Sequence, residues 1–143
     1  MKLNAVESEG YKAMLAFEKY LDSTQVTSTH KDLIKIRASQ LNGCSYCIDM
    51  HASDARNAGE TEQRIYSLSA WRETPFFTSE ERAVLALTEE VTLISQRVSD
   101  STYDDAIKIL GEKYVAQVIM LVIGINGWNR IGVATKMIPA TAH

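Results

Sequence analysis

Cys44-Ser45-Tyr46-Cys47-Ile48-Asp49-Met50-His51 reads C-x2-C-x3-H. Residues three, four and seven apart share one face of a helix, so Cys44, Cys47 and His51 would form one stripe. Cys44 follows Asn42-Gly43, a pair that stops a preceding helix, and so stands at the start of the next one. Free N–H groups and the helix dipole there stabilise a thiolate, whose unperturbed thiol has a pKa of about 8.5. His51, one turn beyond Cys47, can take the thiol proton directly or through a water. A fourth residue follows from hairpin arithmetic. If the flanking helices fold back about Asn42-Gly43, Asp32 lies roughly 16 Å before the turn and His51 roughly 12 Å after it, at about 1.5 Å per residue. Asp32 is then level with His51 to about one turn and could orient it, completing a carboxylate–imidazole–thiol relay. The expected catalytic residues are Cys47, Cys44, His51 and Asp32. A zinc half-site is the rival reading. Three ligands suit a catalytic zinc with a bound water, but no second C-x2-C or H-x3-H exists, and only His30 and His143 remain as imidazoles. Redox chemistry without a metal or cofactor is the expectation.

The elements that must hold these residues read as helices. Tyr11, Met14, Leu15, Glu18 and Leu21 recur at helical spacing over Glu7 to Leu21. Ser28 or Thr29 can cap a helix running to Leu41, and a third helix is expected from Cys44 to Ala58, ending at Gly59. Thr61 caps a piece from Glu62 to Trp71, and Arg72 to Phe77 reads as a loop. Thr78 and Glu81 fit a capping box. Ser101 caps a helix to Leu110, and a last long helix is expected from Glu112 towards Thr135. Its run Val118 to Ile123 is apolar all round, which suits a domain centre or a subunit interface. No alternating strands, repeats or linkers interrupt this pattern. A single all-α domain over 1–143 is therefore expected. The acids from Glu80 to Glu112 read as a solvated face, and His143 as a frayed terminus.

Composition narrows the function further. The chain has 143 residues with 45% hydrophobic and 23% charged, ordinary for a globular domain of this length. Net charge is -3 and no basic run appears, which argues against nucleic acid. No apolar run approaches the ~20 residues of a membrane span, and no secretory leader is visible. A cytoplasmic location is expected, where a close cysteine pair suggests redox or metal chemistry rather than a structural disulfide. A thioredoxin-type domain would need a βαβ pattern, which the sequence lacks.

The string from Asp32 to His51, with Ala58-Gly59-Glu60-Thr61 and Asn126 to Ile131, resembles the core of the alkylhydroperoxidase D / carboxymuconolactone decarboxylase family over about residues 32–135. The resemblance implies an all-helical bundle that assembles as a homo-oligomer, a trimer or hexamer. It implies a thiol peroxidase in which one cysteine is oxidised by peroxide and the other resolves it as a disulfide. An external dithiol, dihydrolipoamide-type or thioredoxin-type, then restores the pair. It also suggests that Trp128 lines the cysteine pocket. Two positions depart from the family pattern. Asp32 stands where Glu is usual, one methylene shorter, and Tyr46 stands where some peroxidases carry His. Cys47 is expected to be the reactive thiolate, because His51 is four residues on. Cys44 is expected to resolve it, nearer the surface. The alternatives are a general disulfide oxidoreductase and a non-catalytic redox-sensing or ligand-binding oligomer.

Overall fold

A computed structural model describes residues 1–141, so His143 lies outside the described residues. The described residues form helices and no strand. In chain order these are α1 (Leu3–Val6), α2 (Ser8–Asp22), α3 (Ser28–Asn42), α4 (Ser45–Asn57), α5 (Glu62–Ser67), α6 (Ser79–Thr92), α7 (Asp100–Leu110) and α8 (Glu112–Ala134). Two short 3-10 segments, Leu68–Glu73 and Ile94–Gln96, follow α5 and α6.

Local chemistry sets most helix ends. Gly43 adopts φ 66°, ψ 31° and closes α3, a left-handed geometry that glycine reaches without a Cβ penalty. Thr61 caps α5, and Thr78 and Glu81 exchange side chain and backbone hydrogen bonds as a capping box. Two caps differ from expectation. Thr27 rather than Ser28 or Thr29 begins α3, because its hydroxyl accepts from His30 N–H. Ser99 rather than Ser101 begins α7, accepting from Thr102 N–H. The helix expected to reach Trp71 tightens into the 3-10 segment with a kink at Ala70, and that segment continues through Glu73.

The apolar run of α8 is helical and occupies the middle of the domain. Val115, Val118, Leu121, Val122 and Ile125 are buried against Leu21, Ile34, Val84 and Leu87. The domain-centre setting holds for Val118, Leu121 and Val122, whereas Ile123 at the end of the run is half exposed. A second core gathers Leu33, Ile36, Ala55, Leu68, Trp71, Phe77 and Leu85. α3 and α6 contribute to both cores, and α3 thereby fixes the height and angle at which α4 leaves the turn.

The acids of α6 are not all solvated. Glu81 is buried with Arg64, at 2.8 Å. Glu89 accepts from Trp71 Nε1, Arg37 and Arg72. Burial pushes the Glu89 carboxyl up, but these donors outweigh it and hold it below the usual range. A buried indole N–H and two guanidinium groups need such an acceptor.

Candidate active site

The turn between α3 and α4 carries the cysteines. Cys44 is the N-cap of α4, and its Sγ accepts from Cys47 N–H at 3.3 Å. Cys44 and Cys47 are joined as a disulfide, with Cα atoms 5.3 Å apart. Both are buried, at 2% and 3% exposure. The expectation that Cys44 lies nearer the surface is therefore corrected. α8 covers it: a Cβ built on Gly132 would stand 2.9 Å from Cys44 Sγ and 3.4 Å from Cys47 Sγ. Only a residue without a side chain lets a helix backbone come this close to the sulfurs.

A polar ladder pins the turn to α8. Asn42 Nδ2 donates to Asn126 Oδ1 at 3.0 Å and to Asn129 Oδ1 at 2.9 Å. Asn129 Nδ2 donates to Ser39 Oγ, whose hydroxyl donates to the Lys35 carbonyl. Ser39 and Asn129 are fully buried, so an unmatched partner here would carry a desolvation cost of about 1–3 kcal/mol. Asn126 and Asn129 were legible in the sequence only as part of the family resemblance, and Asn42 apart from it only as a helix stop.

Beside the disulfide lies a cavity of about 520 Å³. From α4 it is lined by Tyr46, Cys47, Met50 and His51, whereas Cys44 is not among its walls. α2 contributes Tyr11, Leu15, Glu18 and Leu21, α3 contributes Lys35, and α8 contributes Leu121, Ile125, Trp128, Ile131 and Gly132. Trp128 thus lines the cysteine pocket. Its ring meets Tyr11 edge-on at 5.5 Å, and its Nε1 donates to Glu18 Oε2 at 3.0 Å. Glu18 Oε1 lies 3.2 Å from Lys35 Nζ.

His51 is partly buried in this wall. Burial first, and the Lys35 charge second, push its pKa down to about 4, with Asp54 and Glu18 opposing. The imidazole is therefore neutral at pH 7, while the same burial and Lys35 charge weaken it as a proton acceptor. Asp32 is placed differently. It does not line the cavity, and no hydrogen bond joins it to His51. Burial holds its carboxyl above the usual range, against Lys35 and with help from Asp54 and Glu60. The hairpin arithmetic estimates height along α3 and says nothing of azimuth. The carboxylate that reaches the cavity is Glu18, visible in the sequence only as an acid inside the apolar stripe of α2. Among the described residues no group of three or more His, Cys, Asp or Glu is arranged to hold a metal ion, and no helix is long and apolar enough to cross a membrane.

The sequence pattern of the carboxymuconolactone decarboxylase family matches residues 8–90. The uncharacterised protein YdfG of Bacillus subtilis is 48% identical over 130 residues, spanning 90% of this chain and 88% of its own. A crystal structure of a protein of unknown function from Agrobacterium tumefaciens, which carries the proposed designation of an antioxidant defence protein AhpD, has a TM-score of 0.96. It is 32% identical and covers 99% of this chain and 98% of its own. The debrominase Bmp8, bound to 2,3,4-tribromopyrrole, has a TM-score of 0.83 at 16% identity, over 92% of this chain and 71% of its own. That last likeness is one of fold.

Proposed function

This chain belongs to the carboxymuconolactone decarboxylase family, and from that premise we propose that it is a thiol-dependent hydroperoxide reductase. The observation that carries the reading is a cysteine pair at disulfide distance whose Cys47 shares a cavity wall with a neutral imidazole. His51 takes the proton of Cys47. The Cys47 thiolate attacks one peroxide oxygen and the O–O bond breaks. The departing alkoxide takes a proton from the His51 imidazolium and leaves as alcohol or water. Cys47 is now a sulfenic acid. The Cys44 thiolate attacks its sulfur, the S–O bond breaks, and water leaves after protonation. The resulting disulfide is reduced by an external dithiol, itself oxidised to a disulfide. The N-cap position of Cys44 supports its thiolate through the Cys47 N–H and the dipole of α4.

The partners in this reading are an organic or hydrogen peroxide and a dithiol of dihydrolipoamide or thioredoxin type, in the cytoplasm. The assembly is a homo-oligomer, a trimer or hexamer, and light scattering at micromolar concentration should give a mass of three or six chains. A single-chain mass would remove the assembly from the proposal. The test of the activity is steady-state peroxide consumption with dithiol donors in excess. Repeated turnover that stops in both Cys44→Ser and Cys47→Ser supports the reading. One round of oxidation without turnover would instead mark a redox sensor. A second reading, disulfide exchange on an organic substrate, is favoured by the size and apolar walls of the cavity. It predicts thiol–disulfide exchange without peroxide consumption.

A further inference from the structure

Charge in the cavity is carried by residues that the spacing argument does not reach. Glu18, Lys35, Cys47 and His51 all line it, and Asp32 does not. Glu18 is held at both oxygens, by Lys35 Nζ at 3.2 Å and by the indole N–H of Trp128 at 3.0 Å. Its side chain is 26% exposed, so it is fixed and partly shielded. We infer that Glu18 is the positioning residue that sets how readily His51 takes the Cys47 proton, with Lys35 as its counterweight. This role rests on the reading of His51 as the base for Cys47.

The argument follows the charge. When the proton moves from Cys47 Sγ to a His51 ring nitrogen, a thiolate and an imidazolium appear on a partly buried cavity wall. Burial and Lys35 oppose the imidazolium, whereas Asp54 and, after it, Glu18 favour it. Asp54 lies on the exposed side of α4, where solvent screens it. Lys2, which also lines the cavity, is exposed as well. Trp128 and Gly132, facing from α8, are uncharged. Glu18 is thus the fixed negative charge that offsets Lys35 inside the cavity. An unpaired Lys35 would make His51 the poorer base.

The test uses the reduced full-length chain. NMR follows the titration of the His51 imidazole, and the rate of iodoacetamide alkylation across pH follows the thiolate independently of any peroxide. Glu18→Gln keeps the shape and an acceptor for Trp128 but removes the charge. It should lower the His51 pKa by about one unit, the order expected of one charge in a partly buried site. Glu18→Asp, which keeps the charge, should restore most of the shift. Lys35→Met should move His51 the other way, and the double variant Glu18→Gln with Lys35→Met should return it close to the native value. A purely structural role would not produce that cancellation. The inference is overturned if Glu18→Gln leaves His51 unmoved, or if Asp32→Asn moves it as far. His51→Ala separates the two readings. An alkylation profile unmoved by His51→Ala removes the base itself, whereas a profile moved by His51→Ala but not by Glu18→Gln removes only the role of Glu18.

Discussion

Cys47 and His51 stand one turn apart on α4 and look into the same cavity, while Cys44 stands behind them under α8. In the proposed reaction that difference in access favours Cys47 as the thiol met by the oxidant and Cys44 as the resolving one. If His51 is the base, His51→Ala should slow peroxide reduction by roughly 10²–10⁴-fold, the usual range for general acid–base help. The pH–rate profile should also move upward, since thiolate formation would then depend on bulk hydroxide. Near-native turnover with an unmoved profile would leave the helix N-terminus as the sole activator. Asp32→Asn should cost far less, because its carboxylate is outside the cavity, and single-turnover oxidation rates would rank the two variants. The cysteines and His51 were legible because a C-x2-C-x3-H string is a local signal on one helix. Glu18 was not. Its partners, Lys35 and Trp128, are 17 and 110 residues away in the chain, and only the approach of three helices identifies them.

At the scale of elements, the cavity exists because α2 lies over α8 along a track of small residues. A Cβ on Gly124 would come 2.5 Å from Leu21 Cδ1, a fully buried side chain. A Cβ on Gly127 would come 3.0 Å from Met14 Cε, the far end of a flexible and partly exposed chain. Gly124→Ala should therefore destabilise the fold by about 1–3 kcal/mol, the usual cost of overpacking. Gly127→Ala should cost less, because methionine can swing aside and alanine is the better helix former by up to ~1 kcal/mol. Equal midpoints in urea for the two variants would contradict a tight α2–α8 contact at Leu21. Helix identity was readable from apolar spacing, and ends were readable where a cap is strong, as at Gly43 and the Thr78–Glu81 box. The starts of α3 and α7 were misassigned by one or two residues because several neighbouring hydroxyls could cap, and only the folded chain selects one. Glu81 and Glu89 were misread as solvated because their arginine partners arrive from α5, α3 and the 3-10 segment.

The pH dependence of the whole molecule's stability includes a contribution from the same site. His51 and His30 both have pKa values lowered by burial in the fold, His51 to about 4 from 6.5. Between those values the unfolded chain binds a proton that the folded chain refuses. Stability must therefore be full above about pH 6.5 and fall as the pH drops towards 4. Glu81 and Glu89, whose folded pKa values are lowered, lose their contributions at lower pH, as each protonates. Asp32, raised by burial, acts in the opposite sense and gains relative stability as it protonates. The window from pH 7 to pH 5 thus belongs mainly to the histidines. At ~1.4 kcal/mol per unit of pKa difference, His51 alone accounts for about 2 kcal/mol across it. Urea unfolding of the disulfide form at both pH values should show that loss in the native chain. His51→Gln, which cannot titrate, should lose about 2 kcal/mol less, with the remainder left to His30. Equal losses in both chains would mean that His51 is protonated in the fold at pH 5. Its folded pKa would then lie near the ordinary value of about 6.5, leaving the imidazole largely neutral at pH 7 and a stronger acceptor for the thiol proton than one held at about 4.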